Sequence, residues 1–137
     1  MTNWQELDDY LSLDHGLDAW QDFSIDRARA LLATLSDEQW RTLEQIWPQR
    51  SVKWQIQLAQ AVFDSSAPRM IPLLRAMLRA NDLDVAIAAV ESLEGRDDIF
   101  WPDDDDRAAL HALLARANSG DQTIIQTLLK RGAAPPG

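Results

Sequence analysis

The chain contains no cysteine, which excludes disulfide staples, thiolate catalysis and cysteine-ligated metal, and accords with a reducing compartment such as the cytosol. Histidine occurs twice, as His15 beside Gly16 and His111 beside Leu110, and both positions suit structural roles better than catalytic ones. No Ser/His/Asp order, HExxH pair or glycine-rich phosphate loop can be read. Long apolar runs are missing too. Charge breaks every apolar stretch well short of the roughly 20 residues that a membrane span needs. The opening MTNWQELDDYLSLDHGLDAW is acidic and lacks the basic start and apolar core of a signal peptide. A cytoplasmic location without membrane attachment is therefore expected. No cofactor is implied.

Positive charge is scarce. Thirteen basic side chains stand against 22 acidic ones, a formal charge of −9, so nucleic acid and anionic membranes are poor partners and a basic protein is the easier one. The acid is unevenly placed. From Glu91 to Asp106 the acidic residues are Glu91, Glu94, Asp97, Asp98 and Asp103 to Asp106, against Arg96 alone.

Apolar spacing predicts helices throughout, and no alternation predicts a strand. Trp4, Leu7 and Leu11 mark a first helix. Ser24 is placed to cap a second, with Ala28, Leu31, Leu32 and Leu35 on one face. Ser36 and Gln39 form a capping box for a third, which carries Trp40, Leu43 and Trp47 inward until Pro48 stops it. The fourth, Ser51 to Phe63, shows two apolar stripes: Val52, Ile56, Ala59 and Phe63, and Trp54, Leu58, Ala61 and Val62. Two buried faces suit a middle element.

A fifth helix starts near Pro68 and carries Met70, Ile71, Leu74, Met77 and Leu78, with Pro72 in or near its first turn. Asp82 caps a sixth with Leu83, Ala86, Ile87, Val90 and Leu93 inward, closed by Gly95 as a left-handed residue. Beyond Pro102 a seventh carries Leu110, Leu113, Leu114 and Ala117. Ser119-Gly120 is a turn, Asp121 the next cap, and Ile124, Ile125, Leu128 and Leu129 the last stripe. The tail from residue 133 to 137, AAPPG, is expected to fray.

From Ser51 to Asp121 a helix-pair pattern recurs. SVKWQIQLAQAVF aligns with DLDVAIAAVESLE 31 positions on, placing Ile56 on Ile87, and LRAML at Leu74 aligns with LHALL at Leu110 36 positions on. Paired helices that cannot bury their apolar faces alone stack into solenoids, which present extended surfaces to macromolecules. The segment from Trp54 to Leu93, with proline in its second helix and the cap Asn81-Asp82-Leu83-Asp84-Val85, resembles a HEAT repeat. The resemblance implies an all-α fold: a short α-solenoid of antiparallel helix pairs over 51 to 132, with residues 1 to 50 as an N-terminal helical cap of the same domain.

Small acidic HEAT-like chains whose repeat opens as Trp54-Gln55 to Leu58-Ala59 resemble immunity proteins of bacterial polymorphic and contact-dependent toxin systems. That resemblance implies a non-enzymatic, monomeric inhibitor that occludes the basic active cleft of a cognate toxin. The alternative is a HEAT-like scaffold or adaptor in a cytoplasmic complex with no inhibitory role.

Six tryptophans are many for this length. Trp4, Trp40 and Trp54 lie on apolar faces and are expected in the core, whereas Trp47 and Trp101 each fall in an apolar-Trp-Pro triplet. Each is either an inter-helix plug or an interface anchor. The candidate partner-binding set is Trp47, Glu94, Asp97, Asp98, Trp101, Asp103, Asp104 and Asp105. For the aspartate run, helix capping and solubility stand beside a contact patch for a basic partner. A metal site is the weakest reading, because the run lacks spaced ligands and a distal glutamate.

Overall fold

The computed structural model describes residues 3–13, 20, 24–64, 69–96 and 100–131. Among these residues it is all-helical, with no strand. The chain forms two compact units, Met1–Met70 and Ile71–Gly137.

In the first unit, α1 (Asn3–Ser12), α2 (Ile25–Ala33) and α4 (Val52–Ala61) pack against one another pairwise. Their buried positions follow the helical period: Leu7 and Leu11 on α1, Ala28, Leu31 and Leu32 on α2, and Trp54, Leu58 and Ala61 on α4. Trp54 is the centre of this packing. It meets Trp4 edge to face at 6.5 Å, its indole N–H donates to the Asp8 carbonyl at 3.3 Å, and the Arg50 guanidinium lies 5.9 Å from its ring centroid. Arg50 forks onto both carboxylate oxygens of Asp8 at 2.8 and 2.6 Å, which raises its own pKa further above the ordinary arginine value. The Trp20 indole N–H donates to the Gln60 Oε1 at 2.7 Å.

Helix α3 (Asp37–Ile46) opens with the expected capping box. The Gln39 amide donates to Ser36 Oγ at 3.2 Å, and the Ser36 amide donates to Gln39 Oε1 at 2.9 Å. Pro48 does not end this helix abruptly. It sits inside a 3₁₀ turn, Trp47–Gln49, that tightens the last turn before Ser51 caps α4 by accepting the Trp54 amide at 3.2 Å.

Ser24 departs from expectation. Its backbone is already helical (φ −69°, ψ −31°) and its hydroxyl makes no capping bond, because a capping side chain reaches the free amides only from extended backbone. Helix α4 is also shorter than its apolar pattern, giving way to a 3₁₀ turn at Val62–Asp64. Of its two stripes, Trp54, Leu58, Ala61 and Val62 are all buried. The other is graded: Ala59 is buried, Ile56 and Phe63 are half-buried and Val52 is exposed. Gln55 and Gln57 are buried instead. The Gln55 amide group donates to the Arg50 carbonyl at 2.8 Å, whereas the buried Gln57 Oε1 has no hydrogen-bond partner among the described residues.

The second unit contains α5 (Met70–Met77), α6 (Leu83–Glu94), α7 (Asp104–Leu114) and α8 (Ser119–Leu129), with α8 packed on both α6 and α7. The expected start at Pro68 lies outside the described residues. Pro72 is the third residue of α5, where an amide has no intrahelical acceptor, so the proline is accommodated without a break. Asp82 caps α6 by accepting the Asp84 and Val85 amides at 2.9 and 3.2 Å. Eight of the twelve residues of α6 are buried, including Ala86, Ala88 and Ala89.

Two expectations about helix ends fail. Gly95 closes α6 in right-handed geometry (φ −72°, ψ −5°), not left-handed. Asn118, not Asp121, caps α8: its side chain accepts the Asp121 amide at 2.8 Å, so Ser119 and Gly120 are helical.

The aligned pair Ile56 and Ile87 is unequal, since Ile87 is buried and Ile56 only half-buried. Truncation to Ala should therefore cost about 2 to 5 kcal/mol at Ile87 and roughly 1 to 2 kcal/mol at Ile56. Urea denaturation of both variants checks this. Equal losses would restore the equivalence that the alignment implies.

Candidate interaction surface

The aspartate run divides between two jobs. Asp103 is the N-cap of α7: its Oδ1 accepts the Asp106 amide at 2.8 Å while Asp106 Oδ2 accepts the Asp103 amide at 3.0 Å, a capping box made by two aspartates. Asp104 and Asp105, in the first helical turn, are exposed.

Asp106 is only 1% exposed, and a carboxylate so withdrawn from water requires cations and donors around it. Two arginines supply them, Arg75 of α5 and Arg79 of the turn that follows it. Arg75 Nη1 lies 3.4 Å from Asp106 Oδ2, and Arg79 Nη2 lies 3.3 Å from Asp106 Oδ1. Arg75 reaches further, to Asp103 Oδ2 at 3.1 Å and to the Trp101 carbonyl at 3.3 Å, with its guanidinium 5.2 Å from the Phe100 ring centroid. The Asp103 carboxyl is consequently held below its ordinary pKa, chiefly by the Asp106 amide, with the positive charges of Arg75 and Arg79 acting in the same direction against partial desolvation.

Other arginines of this unit serve backbone carbonyls. Arg107 donates to the Leu129 and Arg131 carbonyls, each at 2.7 Å. Arg131 donates to those of Leu93, Glu94 and Phe100 at 3.3, 2.9 and 3.1 Å, and Arg116 to that of Asn81 at 3.2 Å. Of these, Glu94 and Leu129 are the last residues of α6 and α8, where helix carbonyls have no intrahelical amide to accept from. These side chains are thereby held in place by protein acceptors.

The expected partner-binding residues are distributed accordingly. Trp101 is half-buried and borders the exposed Asp103, Asp104 and Asp105. Phe100 and Pro102, on either side of it, are buried. Glu94 is half-buried at the end of α6, with its carbonyl taken by Arg131. Asp97 and Asp98 lie outside the described residues. Trp47 is 7% exposed in the 3₁₀ turn after α3, so its ring belongs to the core and not to the surface.

The expected set omits Asp106, Arg75 and Arg79. The Asp103-x-x-Asp106 spacing and the one-turn interval from Arg75 to Arg79 are the sequence signals for them.

A second acidic locus lies on α6 and α8. Glu91 has its carboxyl pKa raised above 4.5 by desolvation and by the nearby negative charge of Asp121. Among the described residues no group of three or more His, Asp or Glu is placed to hold a metal ion, and no helix is long and apolar enough to cross a membrane. No family model, curated protein or solved structure matches the chain.

Removing the Asp106 carboxylate leaves two arginines facing a vacated site and breaks the capping box. Asp106→Ala should destabilise the protein by about 2 to 4 kcal/mol, less than for a fully buried pair because both arginines retain solvent contact. Asp104→Ala should cost no more than about 1 kcal/mol. Comparable losses in chemical denaturation would contradict this division of labour.

At Glu91 the raised pKa means that the folded state binds the proton more tightly than the unfolded state does. Ionised Glu91 therefore opposes folding above its folded pKa, and the penalty vanishes as pH falls below about 4.5. Glu91→Gln should raise the melting temperature at pH 7, and the advantage should disappear by about pH 4. A variant no more stable than the parent at pH 7 would refute a cost from desolvating the Glu91 charge and from its repulsion by Asp121.

Proposed function

We propose that the chain is a non-enzymatic, protein-binding inhibitor of the immunity type, which neutralises a cognate bacterial toxin in the cytoplasm by covering its basic active cleft. The observation that carries this reading is the charge arrangement around α7. Asp103, Asp104 and Asp105 are exposed beside the half-buried Trp101, while Arg75, Arg79, Arg107, Arg116 and Arg131 are engaged on a buried carboxylate or on carbonyls. The result is a local anionic face with an aromatic group at its edge. Such a face steers a basic partner into encounter and competes with an anionic substrate for the same groove, and Trp101 supplies apolar contact once the partner is seated.

That residues 51 to 132 form a short HEAT-like α-solenoid of antiparallel helix pairs belongs to the same proposal. The recurring helix pattern supports it, as does the density of small residues on α6, which allow a neighbouring helix to approach closely. In this reading the free protein is monomeric and residues 1 to 50 cap the repeat.

Affinity capture with the full chain, followed by co-expression of whatever is caught, tests the function. The expected result is a basic protein whose toxicity the chain suppresses. Asp104→Lys with Asp105→Lys should slow association with it by at least about tenfold, and the wild-type rate should fall as salt rises past about 0.1 M. Capture of a non-toxic assembly whose association ignores both changes would favour a scaffold or adaptor instead.

A further inference from the structure

We propose that Arg75 is the positioning residue of the α7 surface: it presets the turn from Phe100 to Asp106, so that Trp101 and the outward carboxylates are in place before a partner arrives. The inference rests on the reading of that surface as partner-binding. It is carried by the number of separate groups that one guanidinium touches.

Nη1 serves Asp103 Oδ2 at 3.1 Å and Asp106 Oδ2 at 3.4 Å, Nη2 donates to the Trp101 carbonyl at 3.3 Å, and the cation lies 5.2 Å from the centroid of the Phe100 ring. Four residues of the seven from 100 to 106 are therefore held by a side chain of α5. The capping box fixes Asp103 to Asp106 but does not extend to Trp101. Phe100 has separate ties, its amide to the Arg96 carbonyl and its carbonyl to Arg131, at 3.0 and 3.1 Å. Arg75 spans the interval between these two fixed points.

Preorganisation of this kind lowers the ordering cost of binding. It also requires arginine specifically. A planar fork can address a carbonyl and two carboxylates while stacking on a ring, whereas a lysine ammonium keeps the charge but cannot reproduce that geometry.

Charge alone would give Arg75 the opposite role. As a cation among acids it weakens attraction for a basic partner, so a purely electrostatic residue would leave the turn undisturbed when replaced by lysine. The test needs no partner. In the full chain labelled with 5-fluorotryptophan, with the Trp101 resonance assigned through Trp101→Phe, Arg75→Lys is compared with the parent by fluorine NMR and amide hydrogen exchange.

Positioning predicts a shifted or broadened Trp101 resonance. It also predicts exchange at the Asp103 and Asp106 amides faster by about tenfold, with the Val90 and Ile125 amides in α6 and α8 changed less than about twofold. Asp103→Asn is the second variant. It keeps a good capping residue while removing the Arg75–Asp103 ion pair, and should move the same resonance in a chain whose Asp106 site is intact.

An unmoved Trp101 resonance in both variants overturns the proposal, because the turn is then held by its own hydrogen bonds. Acceleration spread evenly over α6 to α8 also overturns it, because Arg75 then contributes only to global stability. Since these readouts involve no partner, a positive result combined with failure to capture a basic protein would refute the inhibitor reading and leave the positioning role standing.

Discussion

A carboxylate removed from water has to be met by positive charge and hydrogen-bond donors, and the second unit of this protein is arranged around one such group, Asp106. Its two oxygens face Arg75 of α5, Arg79 of the turn after that helix and the amide of Asp103. That single site determines where α7 begins, how α5 is tied to it, and which members of a four-aspartate run remain at the surface. A buried ion pair is weak as a source of net stability, because desolvation offsets most of the attraction. What it does well is define register. One carboxylate against two arginines a helical turn apart has few ways to fit.

Arginine is used consistently across the protein. In the first unit Arg50 bridges to Asp8 beside Trp54, and in the second Arg107 and Arg131 serve carbonyls at the ends of α8 and α6. Each fixes a connection between elements that apolar packing alone would leave free to slide. The consequence for function is positional: in the second unit these contacts hold the turn before α7, and Asp104 and Asp105 stay exposed at its start. The proposed inhibitor role draws on that exposed acidic stretch.

Much of this was legible in the residues. Period-3.6 apolar spacing located all eight helices of the described chain, and the expected caps at Ser36 and Asp82 act through their side chains as local chemistry dictates. Ser24 and Gly95 read the same way and behave differently, since a capping residue's role depends on the backbone angle at which the chain arrives, which tertiary contacts set. Trp47 and Trp101 share an identical local context, an apolar residue before and a proline after, yet one is in the core and the other half-buried. The burial of Asp106 was illegible for a related reason: its partners lie 27 and 31 residues earlier in the chain, and four consecutive aspartates look alike until a fold brings cations to one of them.

Asp106, Arg75 and Arg79 form a coupled unit and are not independent surface charges. A double-mutant cycle measures this directly, by comparing the stabilities of Arg79→Ala, Asp106→Ala, the double variant and the parent. The expected coupling energy is on the order of 1 to 2 kcal/mol, with the double variant losing clearly less than the sum of the singles. Strict additivity, with coupling within about 0.3 kcal/mol of zero, would contradict it.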